Sequence, residues 1–476
     1  MLFNSLAFAV FAPLFFALYF VTRGRARLLL TLFASYFFYA WWDWRFVSLL
    51  LISTVVDYFV CLKISKSESS RQRKGLLIVS LCSNLGILGV FKYFDFFSVS
   101  LASLFEQIGW SVSLPTLNVI LPVGISFYTF QTLSYTIDVY RGRLDAETDF
   151  WRFAVYVSLF PQLVAGPIVR ASHLLPQLKT DARPQLRDFG VGIEMVVWGF
   201  FLKTCLADTA AVVVNPRFAV PDFPEPTSHI AGVLCFAFQI YGDFAGYSLI
   251  AIGLGRVMGL DLGVNFNRPY FSSSFSEFWQ RWHISLSSWL RDYLYISLGG
   301  NRRGRARTVR NLILTMVLGG LWHGAGWTFV IWGVLHGLYL AIARILGPGY
   351  FAVVKALRVP RFASKAFLIF VVFAATNLAW IFFRAESVDD ALTIIFRICE
   401  FDGFQAIGAG EQRIALLKTA MFVLIVVSVD ALGLVARVRE FYQSRLVLRF
   451  CGALALTWMI LLQGTFEGAS FIYFQF

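Results

Sequence analysis

Two histidines carry the strongest chemical signal in this chain. His283 and His323, of five in all, lie in the stretch 275–336, which reads FSEFWQRWHISLSSWLRDYLYISLGGNRRGRARTVRNLILTMVLGGLWHGAGWTFVIWGVLH. Each sits among aromatic residues, and arginines at 302, 303, 305, 307 and 310 separate them. An imidazole enclosed in a largely apolar chamber tends to stay neutral and available as a general base. Other chemistries lack their residues. There is no GxSxG elbow, no HExxH, and no serine or cysteine placed credibly with a histidine. The carboxylates are too scattered to form a metal set, and the segment Gly253-Leu-Gly255-Arg-Val-Met-Gly259 misses the dinucleotide spacing and follows no strand. Six cysteines, at 61, 82, 205, 235, 399 and 451, form no CxxC and read as mostly buried thiols. A histidine acting alone on an incoming hydroxyl suits an acyl transfer in which the enzyme itself need not be acylated.

The elements that position these residues belong to a membrane. The 476 residues are 58% hydrophobic, 17% aromatic and only 14% charged, against roughly 25% charged in soluble domains. Mean hydropathy is +0.68. The net charge of +13 falls in short clusters between apolar runs, the orienting pattern of cytoplasmic loops, so no nucleic-acid partner is implied. Apolar runs near 2–21, 28–42, 46–62, 76–94, 118–139, 189–207, 229–259, 366–383, 418–436 and 450–463 approach the ~20 residues needed to cross the hydrocarbon core. The run 153–169 is flanked by positive charge on both sides and reads as re-entrant. The first run has arginines behind it and none ahead, as in a retained first helix with its N-terminus outside. Alternation leaves the C-terminal tail outside as well. The expectation is an all-α polytopic protein of about eleven transmembrane helices plus re-entrant and interfacial helices. It forms one integral-membrane domain over 1–476, with no internal repeat. Gly242-x-x-x-Gly246 and Gly255-x-x-x-Gly259 allow close helix contact.

Within the central stretch, Ser274 and Glu277 suggest a capping box opening a helix to about Tyr295. On that helix Trp279, His283, Leu286, Leu290 and Tyr293 share one stripe. After the arginines, which mark the cytoplasmic side, 311–322 supplies only about 18 Å of helix. Gly324-Ala-Gly326 then permits a break. A return through 327–345 would leave His323 at the tip of a broken hairpin inside the membrane, where an ionisable side chain is by default a functional candidate. His336 reads as structural, and His173 and His229, near loop ends, as solvated. A non-enzymatic transporter or channel also suits intramembrane charges and broken helices.

The segments SEFWQRWHISLSSWLRDYLYISLGGNRRG and GGLWHGAGWTFVIWGVLHG resemble those of the membrane-bound O-acyltransferases. The likeness is closest to the bacterial branch that O-acetylates alginate and peptidoglycan. Supporting matches are LPVGISFYTFQ at 121–131, FPQLVAGP at 160–167, YGDFAGY at 241–247, FFRA at 382–385 and the tail FIYFQF at 471–476. They are dense over about 118–345. The resemblance implies a central tunnel, with an acyl-CoA donor, acetyl-CoA by expectation, on the cytoplasmic side of a bacterial inner membrane and no bound cofactor. The acceptor, an exported polysaccharide, would lie on the far side, reached directly or through an extracytoplasmic partner. That partner would be an SGNH-hydrolase-like acetyltransferase or polysaccharide assembly proteins. His323 matches the family's catalytic histidine and His283 its second polar site residue. Asp243, Gln239, Trp279, Arg281, Trp322 and Asn301 become candidates for lining the tunnel or touching substrate. Arg302, Arg303 and Arg305 become candidates for the phosphates of CoA, and Phe471, Tyr473, Phe474 and Phe476 for partner contact.

Overall fold

The computed structural model describes residues 1–164, 166–180, 185–401, 403, 410–465 and 471–472. All regular structure among them is helical. In chain order the helices are α1 (Leu6–Val21), α2 (Gly24–Ala40), α3 (Val47–Lys66), α4 (Ser70–Leu88), α5 (Phe94–Gln107), α6 (Ile125–Tyr140) and α7 (Phe150–Ser158). There follow α8 (Phe160–Leu163), α9 (Ala171–Lys179), α10 (Leu186–Phe200), α11 (Asp208–Ala219), α12 (Pro226–Val257), α13 (Phe275–Arg281) and α14 (Ile284–Trp289). The last are α15 (Arg305–His323), α16 (Trp327–Ala356), α17 (Arg361–Arg384), α18 (Val388–Cys399), α19 (Glu411–Gly433), α20 (Ala436–Ser444) and α21 (Leu446–Gln463). π-Helical turns at Gly89–Tyr93 and Phe201–Ala207 fuse α4 to α5 and α10 to α11, and a third, Leu290–Tyr295, extends α14.

Among the described residues eight helices, not eleven, are long and apolar enough to cross a membrane. The shortfall has a physical cause. α1, α2 and α6 have 16, 17 and 16 residues, or about 24–26 Å of helix each. α6 begins seven residues later than the apolar run suggests, and it buries Ser126, Thr129, Gln131, Thr132, Ser134, Thr136 and Asp138. It is an interior helix whose polar side chains face protein. The 153–169 run becomes the two short buried helices α7 and α8. Three of the cysteines expected to be buried, Cys82, Cys399 and Cys451, are instead exposed on helix surfaces.

The chain divides into two compact units, Met1–Ile193 with Ile250–Gly263, and Glu194–Leu249 with Val264–Phe476. In the first, Phe160 packs its ring 5.1–5.4 Å from those of Phe11, Phe15 and Phe38, joining α1, α2 and α8. Nearby, α3, α4 and α6 converge on Asp57, whose carboxylate accepts from Ser80 Oγ at 2.5 Å and Asn84 Nδ2 at 2.9 Å. Ser53 and Thr132 donate in turn to Asn84 Oδ1 at 2.6 and 3.3 Å. A carboxylate inside an apolar bundle is costly unless it is satisfied in this way.

In the second unit, α12 lies directly against the α10–α11 helix. A Cβ at Gly242 would come 2.8 Å from the Leu202 carbonyl oxygen, and one at Gly246 2.8 Å from that of Gly199. Between these helices Lys203 Nζ reaches Asp208 Oδ1 at 2.8 Å and Asp243 Oδ1 at 2.7 Å, all three side chains at most 4% exposed. The lysine sits on the π-helical turn, which redirects its side chain relative to a regular helix. α15 and α16 form a tight hairpin, with Gly333 against Met316 and Gly337 so close to Ile313 that a Cβ would lie 2.8 Å from its Cα.

Candidate active site

Both histidines owe their position to a backbone break. α13 ends at Arg281, and His283 adopts the left-handed conformation, φ +44°, before α14 begins. A continuous helix from Ser274 to Tyr295, with His283 on a shared stripe, is therefore corrected. The break is held from outside the helix. Asn267 N–H donates to the Arg281 carbonyl at 2.9 Å, and Ile284 N–H to the Asn265 carbonyl at 2.8 Å. The capping interaction expected at Ser274 is present, with Ser274 Oγ accepting from Glu277 N–H at 3.1 Å.

His323 closes α15, and Gly324 and Gly326 separate it from α16. Any side chain at Gly324 would run into the Phe329 ring, so the glycine lets the chain turn tightly behind the histidine. The helix is longer than 311–322, because Arg305–Arg310 is itself helical. Around His323 stand Trp322 and Trp332, each with ring centroid 5.0 Å away, and Phe383 at 5.4 Å. Phe383 belongs to the FFRA segment, which thereby gains a place in the wall.

The two imidazoles are neighbours, with centroids 6.3 Å apart and planes tilted 58°, and Trp322 lies within 5.8 Å of His283. Both are at most 3% exposed. Phe244 on α12 packs edge-on to His283 at 4.5 Å, and Phe266 stacks at 6.4 Å. The spacing of the rings suits one small group held between them, given hydrogen bonds of about 2.8 Å.

Asn265 was not visible as a site residue, yet it fixes the second histidine. Asn265 Nδ2 donates to Ser248 Oγ at 3.0 Å, which orients the amide and turns Oδ1 toward His283 Nδ1 at 3.1 Å. The same oxygen accepts from Ser285 Oγ at 2.8 Å and Ser285 N–H at 3.2 Å. An acceptor facing Nδ1 places the proton there and leaves Nε2 as the basic nitrogen. Asn265→Ala is expected to lower activity roughly 10–100-fold, the scale on which loss of a histidine's orienting partner acts at metal sites. Asn265→Asp, which keeps the acceptor, should recover much of the rate. Equal activity of Asn265→Ala and wild type in a steady-state assay would remove Asn265 from this role.

The remaining candidates separate. Asp243 does not face the histidines as a free carboxylate. Lys203 holds one oxygen, and Ile472 N–H donates to the other at 2.6 Å. Its place is to join α12, the π-helical turn and the tail. Gln239 is buried one turn away on α12, and its Oε1 accepts nothing from the described residues. Trp279 is on the far side of Trp332, packed at 5.7 Å on that ring and at 5.1 Å on His336. Arg281 is committed to Glu277 at 2.6 Å. Asn301 is exposed on the turn that Gly299 and Gly300 allow at positive φ, so it is not in the chamber. Arg302, Arg303 and Arg305 are exposed too, and Arg305 starts the helix that His323 ends, about 27 Å away along its axis.

Phe471 is fully buried against Tyr247 at 4.4 Å and Phe244 at 6.1 Å, so its ring offers no partner surface. Tyr473, Phe474 and Phe476 lie outside the described residues. His229 is also corrected. It is buried, with Nε2 2.9 Å from the Phe223 carbonyl oxygen. Lys203 escaped the sequence reading although an isolated lysine within an apolar run is itself a signal.

The family model for the membrane-bound O-acyltransferases matches residues 29–383, which include both histidines and Asn265. The chain is 42% identical to the "Probable alginate O-acetylase AlgI" of Azotobacter vinelandii over 452 residues, 94% of this chain and 87% of that one. It is 38% identical to the "Peptidoglycan O-acetyltransferase" of Helicobacter pylori over 434 residues, 83% and 79% of the two chains. A "Teichoic acid D-alanyltransferase" of Streptococcus thermophilus matches at 30% over 46% of this chain and 56% of its own. A family match over most of the chain, with relatives 38–42% identical over most of their length, establishes that the chain belongs to the membrane-bound O-acyltransferase family.

Proposed function

We propose that this chain is the membrane-embedded O-acetyltransferase of an exopolysaccharide-modifying system. It moves an acetyl-type group from a cytoplasmic acyl-CoA thioester to a hydroxyl of an exported, alginate-like polysaccharide, directly or by way of an extracytoplasmic acetyltransferase of SGNH-hydrolase type. One observation carries the reading: His283 and His323 stand 6.3 Å apart in a shell of aromatic rings. The names of relatives 38–42% identical supply the acceptor class.

His323 takes the proton of the incoming hydroxyl as its oxygen attacks the thioester carbonyl carbon. The carbon–sulfur bond breaks, and the departing thiolate takes the proton from the imidazolium, so the histidine is regenerated and no acyl-enzyme forms. His283, with its Nδ1 proton committed to Asn265, presents Nε2 as an acceptor for a second, neighbouring hydroxyl of the acceptor sugar, which orients the reacting one. The wall of Trp322, Trp332 and Phe383 keeps bulk water from the thioester, which would otherwise hydrolyse. Arg302, Arg303 and Arg305, at the other end of α15, hold the CoA phosphates while the acyl arm reaches inward.

The reading as a non-enzymatic transporter or channel falls with the family assignment. The acceptor is tested in alginate-producing cells that lack their own membrane O-acetylase. Expression of this chain should restore ester-linked acetyl groups on the polymer. Normal membrane insertion with an unacetylated polymer would reject alginate. Proteoliposomes given acetyl-CoA test the donor separately, through acceptor-dependent release of free thiol.

A further inference from the structure

A second polar site lies in the first unit, away from the histidines in sequence and in chemistry. A cavity of about 190 Å³ opens where α1 hands over to α2, lined by Tyr19, Arg25, Arg27, Arg152 and Lys179 with Asp149 as the lining carboxylate. Arg27 is only 6% exposed. Its Nε and Nη2 donate to the Thr22 carbonyl at 3.0 and 2.7 Å, and its guanidinium rests 4.9 Å above the Tyr19 ring. Arg25 meets Asp149 at 2.5 Å, Arg152 meets Glu147 at 2.9 Å and Lys179 meets Glu147 at 3.5 Å. Among the described residues four cations thus face two carboxylates, an excess of positive charge at the cavity. It also lies at the start of α2, where helix partial charge is positive.

The surface leading to this cavity is apolar. Leu6, Val10, Leu14 and Leu18 recur every four residues on α1 and are 83%, 57%, 62% and 52% exposed. In a membrane protein such a stripe faces acyl chains. It runs to the turn that carries Tyr19, and so to the cavity mouth. A ligand that fits both features has an anionic phosphate ester at one end and hydrocarbon at the other.

We infer that this cavity binds the headgroup phosphate of an anionic phospholipid, with its acyl chains along the exposed stripe of α1. Basic pockets between transmembrane helices are suited to such headgroups, at about one kcal/mol per Lys or Arg. The inference stands apart from the reaction at His323 and does not depend on it.

Native mass spectrometry of the full chain in detergent, titrated with phosphatidylglycerol and separately with phosphatidylcholine, tests it. Wild type is expected to retain phosphatidylglycerol in preference. The double substitution Arg25→Gln/Lys179→Gln leaves the cavity without excess charge and should weaken phosphatidylglycerol binding about thirty-fold, with phosphatidylcholine little changed. Both side chains are more than half exposed, so folding is not at stake. The single Lys179→Gln, whose ion pair among the described residues is with Glu147, should show about a five-fold loss. Equal retention of the two lipids by wild type, or unaltered affinity in the double variant, would overturn the inference. Displacement of the lipid by inorganic phosphate or adenosine 3′,5′-bisphosphate at equal concentration would reassign the cavity to a soluble phosphate ester and overturn it too.

Discussion

Replacement of His323 by alanine is expected to lower polymer O-acetylation by about 10²–10⁴-fold, the usual contribution of a general base. In activation free energy that is about 3–5 kcal/mol. The loss should fall on turnover if, as proposed, His323 acts on the proton that moves in the transition state. Deleting the ring also removes contacts to Trp322, Trp332 and Phe383, so packing must be separated from chemistry. His323→Phe does this. It fills the same aromatic shell with no basic nitrogen, and should be as inactive as the alanine variant while matching wild type in membrane abundance. A His323→Ala protein that inserts normally and acetylates at the wild-type rate would end the assignment of His323 as base.

The second large effect is on stability. Lys203→Met leaves the carboxylates of Asp208 and Asp243 buried together with no cation. Removing one partner of a buried charge network typically costs about 3–5 kcal/mol, because the remaining charge is uncompensated. The variant should show a lower melting temperature in detergent and reduced abundance in the membrane. Converting both acids as well, in Lys203→Met/Asp208→Asn/Asp243→Asn, should restore much of the loss, since neutral amides need no counter-charge. If Lys203→Met melts with wild type, the triad is not what holds α12 to the π-helical turn.

Much of this site is legible in the sequence, for reasons that differ by residue. His323 stands out because Gly324 and Gly326 announce a break right behind it, and the break is where the glycines put it. His283 is placed in the correct stretch on the wrong backbone. No glycine or proline marks residues 282–283, and the interruption comes from hydrogen bonds to Asn265 and Asn267, which no local pattern reveals. Asn265 is hidden for the same reason, being a polar residue in a short connection whose partner lies 18 positions away. The arginines from 305 mark topology by their charge, so the sequence places the helix only from 311. Arginine is also a good helix former, and α15 begins inside the run. The eleven expected spans overcount because hydropathy averages over faces. α6 intersperses apolar residues with hydroxyl, amide and carboxyl side chains, and fourteen of its sixteen residues are buried.

The bond from the Ile472 amide to Asp243 has a consequence for biogenesis. Asp243 and its last partner are 229 residues apart in the chain. At a synthesis rate of about 5–20 residues per second, roughly 10–50 s pass between their emergence from the ribosome. For that interval the aspartate can meet Lys203, made 40 positions earlier, but not the peptide N–H that completes its coordination. Phe244, the next residue along, is the ring that leans on His283. The wall around His283 therefore reaches its final form only once Ile472 has been made and its amide has met Asp243.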